Sequence, residues 1–141
     1  MRVHISLNVR SLEYSLAFYE AMLGTAPSKR RDAYANFRLD EPPVHLALQE
    51  GAISVGGGAS HFGIELPDQE SLAGWRSRLE QTDLDVLVED AARCCYAKAD
   101  KLWLTDPDGY RWEVWVRTGE HEGMGASRIA AKPDIALCCG N

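Results

Sequence analysis

No stretch of the 141 residues approaches the ~18 consecutive apolar positions of a membrane-spanning helix. The opening MRVHISLNV has no apolar block followed by a small-residue cleavage site, so no secretory signal is expected and the expected compartment is the cytoplasm. Basic residues are in deficit, with 15 Lys and Arg against 21 Asp and Glu for a net charge of −6. That deficit argues against nucleic acid or an anionic membrane as partner, because both are captured by basic patches. Cysteines are few and badly spaced for a disulfide framework. They come as two adjacent pairs, Cys94-Cys95 and Cys138-Cys139, and neighbouring cysteines bridge each other only through a strained ring. A phosphate-cradling glycine motif is also missing, since Gly56-Gly57-Gly58 precedes a strand pattern and not a helix. Helices do not alternate with every strand, which excludes a doubly wound sheet.

What is present is enough for one domain with a real core. A chain of this length buries roughly two-thirds of its unfolded surface, and 45% of its residues are apolar. The most informative feature is a weak duplication. His4-Ile-Ser-Leu-Asn-Val9 leads into Ser11-Leu12-Glu13 much as His61-Phe-Gly-Ile-Glu-Leu66 leads into Asp68-Gln69-Glu70. Helical spacing of Leu12, Leu16, Tyr19 and Leu23 predicts a helix over about 12–23, with Ser11 as N-cap and Gly24 as stop. Leu72, Trp75 and Leu79 predict a second over about 69–81, capped by Asp68. Three short strands follow each helix, over about 28–31, 34–39 and 44–49, then 85–89, 101–105 and 110–116. Asp40-Glu41-Pro42-Pro43 and Asp106-Pro107-Asp108-Gly109 form the last turns. The expected organisation is one domain over 1–118, with modules of about 1–56 and 57–118, and a loosely attached tail over 119–141.

Alternation along the strands assigns sides. Val3, Ile5, Leu7 and Val9 oppose His4, Ser6 and Asn8; Val44, Leu46 and Leu48 oppose His45, Ala47 and Gln49. Phe62, Ile64 and Leu66 oppose His61, Gly63 and Glu65; Trp112, Val114 and Val116 oppose Arg111, Glu113, Trp115 and Arg117. If these strands curl together, His4, His45, His61 and Glu113 converge in a polar cleft. Two imidazoles and a carboxylate with open positions match non-haem Fe(II), and a fourth ligand would suit Ni, Zn or Mn as well. The competing reading is a set of solvent-facing polar residues on half-exposed strands. The duplication favours a metal site, because His4 and His61 hold equivalent places. Counting back from Gly51 and Gly119 matches His45 with Glu113. His121 lies in the tail and is read as a surface residue.

Several of these elements resemble the vicinal oxygen chelate superfamily, which includes glyoxalase I, extradiol dioxygenases and bleomycin resistance proteins. They are His4-x-x-Leu7-x-Val9, Ser15-Leu16-x-Phe18-Tyr19 through Leu23-Gly24, His61-Phe-Gly-Ile, and Asp106-Pro107-Asp108-Gly109-x-x-Trp112-Glu113-Val114. The resemblance implies an α+β fold of two βαβββ modules forming an open U-shaped mixed sheet around a metal-binding cleft. Tyr34-Ala35-Asn36-Phe37 with Glu41-Pro42-Pro43, and Cys94-Cys95-Tyr96-Ala97 before Asp100-Lys101-x-Trp103, resemble a narrower group. That group holds cadmium-induced proteins and Fe(II)-dependent carbon–arsenic lyases. It implies an enzyme that uses Fe(II) and O2 to cleave the C–As bond of trivalent organoarsenicals, releasing trivalent arsenic and an aldehyde-type or hydroxylated fragment. By resemblance, the catalytic metal ligands are His4, His61 and Glu113, and the substrate-binding thiols are Cys94 and Cys95. Relatives often carry Gln at the position of His4. His45 is the candidate fourth ligand, and its binding would close an open position on the metal.

The thiol pair has chemistry of its own. Trivalent arsenic and Cd(II) are soft, and two adjacent thiolates chelate them better than oxygen ligands do. Arg93 and Lys98 nearby favour thiolate over thiol. Residues 90–100 show no clear strand period, which predicts a mobile loop over the cleft. The same cysteines also serve two other readings, a non-catalytic cadmium- or arsenite-binding resistance protein and two buried apolar side chains. A glyoxalase-type metalloisomerase, with His45 as fourth ligand, is a further alternative. Cys138-Cys139 would pass metalloid to the first pair, sequester it, or do neither. The expected partner is a small organoarsenical or a soft metal ion, and the resemblance also admits a homodimer.

Overall fold

The structure is a computed structural model that describes residues 1–53, 59, 61–94 and 97–120, with backbone alone at 94 and 97. The chain divides into two compact units, Met1–Gly58 with Asp106–Tyr110 and Ala59–Thr105 with Arg111–Asn141. The expected α+β class and its two βαβββ modules are borne out. In the first, the order is β1 (Val3–Val9), α1 (Leu12–Leu23), β2 (Lys29–Arg31), β3 (Tyr34–Arg38) and β4 (Val44–Glu50). In the second it is β5 (Phe62–Glu65), α2 (Gln69–Leu79), β6 (Leu87–Cys94), β7 (Ala97–Thr105) and β8 (Arg111–Glu120). Each module makes a four-stranded mixed sheet, β1-β4-β3-β2 in one and β5-β8-β7-β6 in the other. In both, the first and last strands pair in parallel and the other neighbours antiparallel.

The apolar faces pack as alternation predicts except at the start of β1, where Val3 is exposed. Leu7, Val9, Leu46 and Leu48 are buried, with α1 against β3 and β4. The buried stripe of α1 is Leu12, Leu16, Phe18, Tyr19 and Met22, so Met22 and not Leu23 closes it. Its start also differs from expectation. Ser11 is extended but makes no side-chain cap; Glu50, at the end of β4, accepts the Leu12 N–H through Oε2 at 2.6 Å. A carboxylate from a neighbouring strand thus does the work of a local cap. Gly24 ends the helix as expected, at φ 69°, a left-handed conformation that favours glycine. In the second unit Leu72 and Leu79 are buried and α2 lies against β8. Asp68 caps it by accepting the Ser71 N–H at 2.8 Å, which holds the carboxyl below its usual pKa.

The largest correction concerns residues 90–100. Instead of a loop, residues 90–94 continue β6 and residues 97–100 open β7; within this range Cys95 and Tyr96 lie outside the described residues. Two irregularities hide the strands from a period-two reading: the ladder shifts register between Glu89 and Ala92, and again between Lys98 and Ala99. A bulge inserts a residue and throws later side chains onto the other face. Ala91 absorbs the first at φ 53°, and its N–H is held by Asp100 Oδ1 at 2.6 Å. The last strand likewise runs on to Glu120, past the expected boundary at 118.

The Asp106–Tyr110 turn belongs to the first unit although its sequence lies between β7 and β8. Asp106 Oδ2 accepts the buried Tyr19 hydroxyl at 2.8 Å, and its Oδ1 accepts the N–H groups of Asp108 and Tyr110. Asp108 accepts the Arg10 N–H at 3.0 Å, and the Tyr110 hydroxyl donates to Asn8 O. Burial pushes the Asp106 carboxyl above its usual pKa, with the Tyr19, Tyr110 and Asp108 hydrogen bonds pulling the other way. Gly56-Gly57-Gly58, His121, Cys138 and Cys139 lie outside the described residues.

Candidate metal centre

In the second unit, β8 aims Glu113 away from the core face formed by Trp112, Val114 and Val116, yet the residue is only 7% exposed. Such a buried charge needs partners. His61, just before β5, brings Nε2 to 3.4 Å from Glu113 Oε1. Lys101 on β7, 6% exposed, donates from Nζ to Oε2 at 2.9 Å. Burial alone would raise the Glu113 pKa, but the hydrogen bonds from His61 and Lys101 and the Lys101 charge outweigh it and hold the carboxyl below its usual value. It is therefore an anion at neutral pH, as a metal ligand must be.

Room for that carboxylate comes from Gly63, its direct partner in the parallel β5–β8 ladder. A Cβ there would stand 3.1 Å from both Glu113 Cγ and Oε1. Around the pair, Trp103 meets the His61 ring edge-on at 5.3 Å and donates from Nε1 to the buried Glu89 at 3.0 Å. Arg111 lies over the same Trp103 ring at 4.5 Å, and Lys101 Nζ is within 6 Å of the Trp103 and Trp115 rings.

In the first unit, His4 and His45 are register partners in the β1–β4 ladder and stack, with centroids 4.5 Å apart and planes 13° from parallel. His4 is exposed, whereas His45 Nε2 is buried with no hydrogen-bond partner among the described residues. Burial, and the charges of His4, Arg38 and Arg2, lower the His45 pKa, which favours the neutral ring.

The ladders correct one inference drawn from the repeat. Ile5 pairs with Leu46, and Phe62 with Trp112. Superposing His4 on His61 therefore puts His45 on Arg111 and Ala47 on Glu113. His45 is not the counterpart of Glu113, because counting from the two glycines ignores where each ladder starts.

Four of the residues expected at a metal are thus found as two pairs, His61 with Glu113 and His4 with His45. Among the described residues no cluster of three or more His, Cys, Asp or Glu has metal-holding geometry. The chemistry of the donors still suits a divalent ion. The 3.4 Å between His61 Nε2 and Glu113 Oε1 is about the spacing of two ligands each about 2.1 Å from one ion. Cys94 sits at the end of β6, and Cys95 lies outside the described residues. The sequence reading gave no role to Lys101, Gly63 or Glu89. The signal for Lys101 was available: Lys101 and Trp103 alternate with the buried Leu102 and Leu104, which puts them on the Glu113 side.

The glyoxalase/bleomycin resistance protein/dioxygenase superfamily model matches residues 2–114. A trivalent organoarsenical cleaving enzyme of Thermomonospora curvata is 39% identical over 138 residues, covering 98% of this chain and 87% of that one. A cadmium-induced protein of Mycobacterium tuberculosis is 33% identical over 141 residues, covering 98% and 92%. Among solved structures, a protein of the same superfamily from Alicyclobacillus acidocaldarius superposes with a TM-score of 0.68 at 16% identity, over 84% and 92% of the two chains. With its paired βαβββ modules and a family match over most of its length, the chain belongs to the glyoxalase/bleomycin resistance protein/dioxygenase superfamily.

Proposed function

We propose that this chain is an Fe(II)-dependent dioxygenase that cleaves the carbon–arsenic bond of trivalent organoarsenicals in the cytoplasm. The observation that carries the reading is the buried, anionic Glu113 beside His61, in a chain 39% identical to a relative named for that cleavage. His4, His61 and Glu113 would hold the ion, a two-imidazole, one-carboxylate set that leaves positions open. When bound, the iron supplies the redox chemistry that lets O2 act on the substrate. Lys101 and His61 keep the Glu113 carboxylate charged and oriented, and Trp103 restrains the His61 ring. Cys94 and Cys95 take the arsenic as a dithiolate chelate, which leaves its organic group to be presented to the metal.

The test is arsenite release by iron-loaded protein from methyl- and phenylarsenite, with and without oxygen. Turnover is expected only in air, and it is expected to vanish in Glu113→Ala and in Cys94→Ser/Cys95→Ser. Arsenite released under strict anaerobiosis would sink the dioxygenase reading.

The relative named cadmium-induced protein favours a second reading, non-catalytic capture of Cd(II) or arsenite by the same thiols. Glu113→Ala separates the two, since capture and tolerance would survive it. The glyoxalase-type isomerase would need His45 as a fourth ligand on the same ion.

A further inference from the structure

We infer that His45 is not a metal ligand but a positioning residue, a flat platform that fixes the ring plane of His4. The inference rests on the proposed role of His4 as a ligand. A metal bound by an imidazole lies in the plane of that ring, about 2.0–2.1 Å from the nitrogen. The His4 and His45 rings are stacked, 4.5 Å between centroids and only 13° from parallel. Two such planes do not meet within reach of a metal–nitrogen bond, so in this arrangement the pair does not share an ion.

What the stack does is restrict rotation. His4 projects from the exposed side of β1, where an imidazole otherwise samples several rotamers. Its ladder partner on β4 is His45, the sheltered member, with Nε2 out of contact with water. The second unit has a parallel device, for His61 is packed edge-on by Trp103. Each candidate ligand histidine is thus steadied by one aromatic neighbour from its own unit. Hydrogen-bonding neighbours that fix a ligand ring are strong determinants of metal affinity, and a ring packed against the imidazole acts on the same freedom.

Substitution at 45 distinguishes a platform from a ligand, because Phe keeps the flat face and has no nitrogen. Co(II) or anaerobic Fe(II) affinity is measured by calorimetry for the parent, His45→Phe, His45→Ala and His4→Ala, with thermal melting to confirm folding. His45→Ala is expected to weaken metal binding about tenfold, as loss of an orienting neighbour does, while His45→Phe stays within about twofold of the parent. Equal losses in Phe and Ala, with both folded, would mean that the nitrogen matters and would overturn the inference, as would an unchanged His45→Ala. In the metal-free protein, the His4 ring-proton NMR signals are expected to shift on His45→Ala and to remain ring-shifted in His45→Phe. If they stay put in both, the stack itself is refuted. Failure of the underlying reading has its own signature, an unaltered metal affinity in His4→Ala.

Discussion

Gly63 stands directly across the β5–β8 ladder from Glu113, and the carboxylate occupies the space that a Cβ at position 63 would press on. Glu113 has little freedom to yield, being held by His61 and Lys101. Gly63→Ala should therefore cost about 1–3 kcal/mol of stability, as overpacking does. It should also weaken divalent-metal binding about tenfold. Thermal melts of the metal-free protein and metal calorimetry read the two effects. An alanine variant that melts and binds like the parent would show that the carboxylate is not confined there.

Removing the cation from the same carboxylate leaves a buried charge short of a partner. Lys101→Met is expected to destabilise the metal-free protein by about 3–5 kcal/mol, and Lys101→Met/Glu113→Gln to recover most of that loss. Added Co(II) should raise the melting temperature of the single variant more than that of the parent, because it replaces the missing positive charge. Additive losses in the double variant would count against a coupled pair.

The start of α1 depends on a strand carboxylate. Glu50→Ala is expected to cost about 1 kcal/mol, the usual worth of an N-terminal cap. Ser11→Ala should fall within about 0.5 kcal/mol of the parent, since its side chain caps nothing. Urea unfolding compares the two. The reverse ranking would restore serine as the cap.

Asp106 makes stability depend on pH in a direction opposite to most carboxylates. Its pKa is raised in the fold by burial, so the fold favours the protonated form. That contribution is complete below the unfolded pKa of about 3.9 and is lost as pH rises through the elevated folded value. Asp106→Asn is neutral throughout and keeps an acceptor for the Asp108 and Tyr110 N–H groups. Its stability relative to the parent should rise between pH 3 and pH 7 in denaturant titrations. A difference flat across that range would refute the assignment.

The boundaries of α1, the βαβββ order and the apolar faces of β1, β4, β5 and β8 were legible because each has an uninterrupted period and a local stop signal. Gly24 marks its helix end by chemistry that needs no tertiary context. The inner part of the β6–β7 hairpin, past Glu89 and before Lys101, was not legible, because bulges at Glu89–Ala92 and Lys98–Ala99 break the alternation that defines a strand. The Glu50 cap was hidden for another reason: its acceptor is 38 residues from the amide it serves. At the candidate site, alternation put His61 and Glu113 on the polar side. It said nothing of Lys101 as a buried counter-charge, and the repeat misplaced His45 because register belongs to pairing between strands.

The first unit takes five of its residues from late in the chain, where Asp106 meets the Tyr19 hydroxyl and Asp108 the Arg10 amide. Any fragment that stops at residue 58 omits this patch and leaves a buried phenol without its acceptor. Likeness of pattern therefore does not make the early half self-sufficient, because it draws on a turn encoded between β7 and β8.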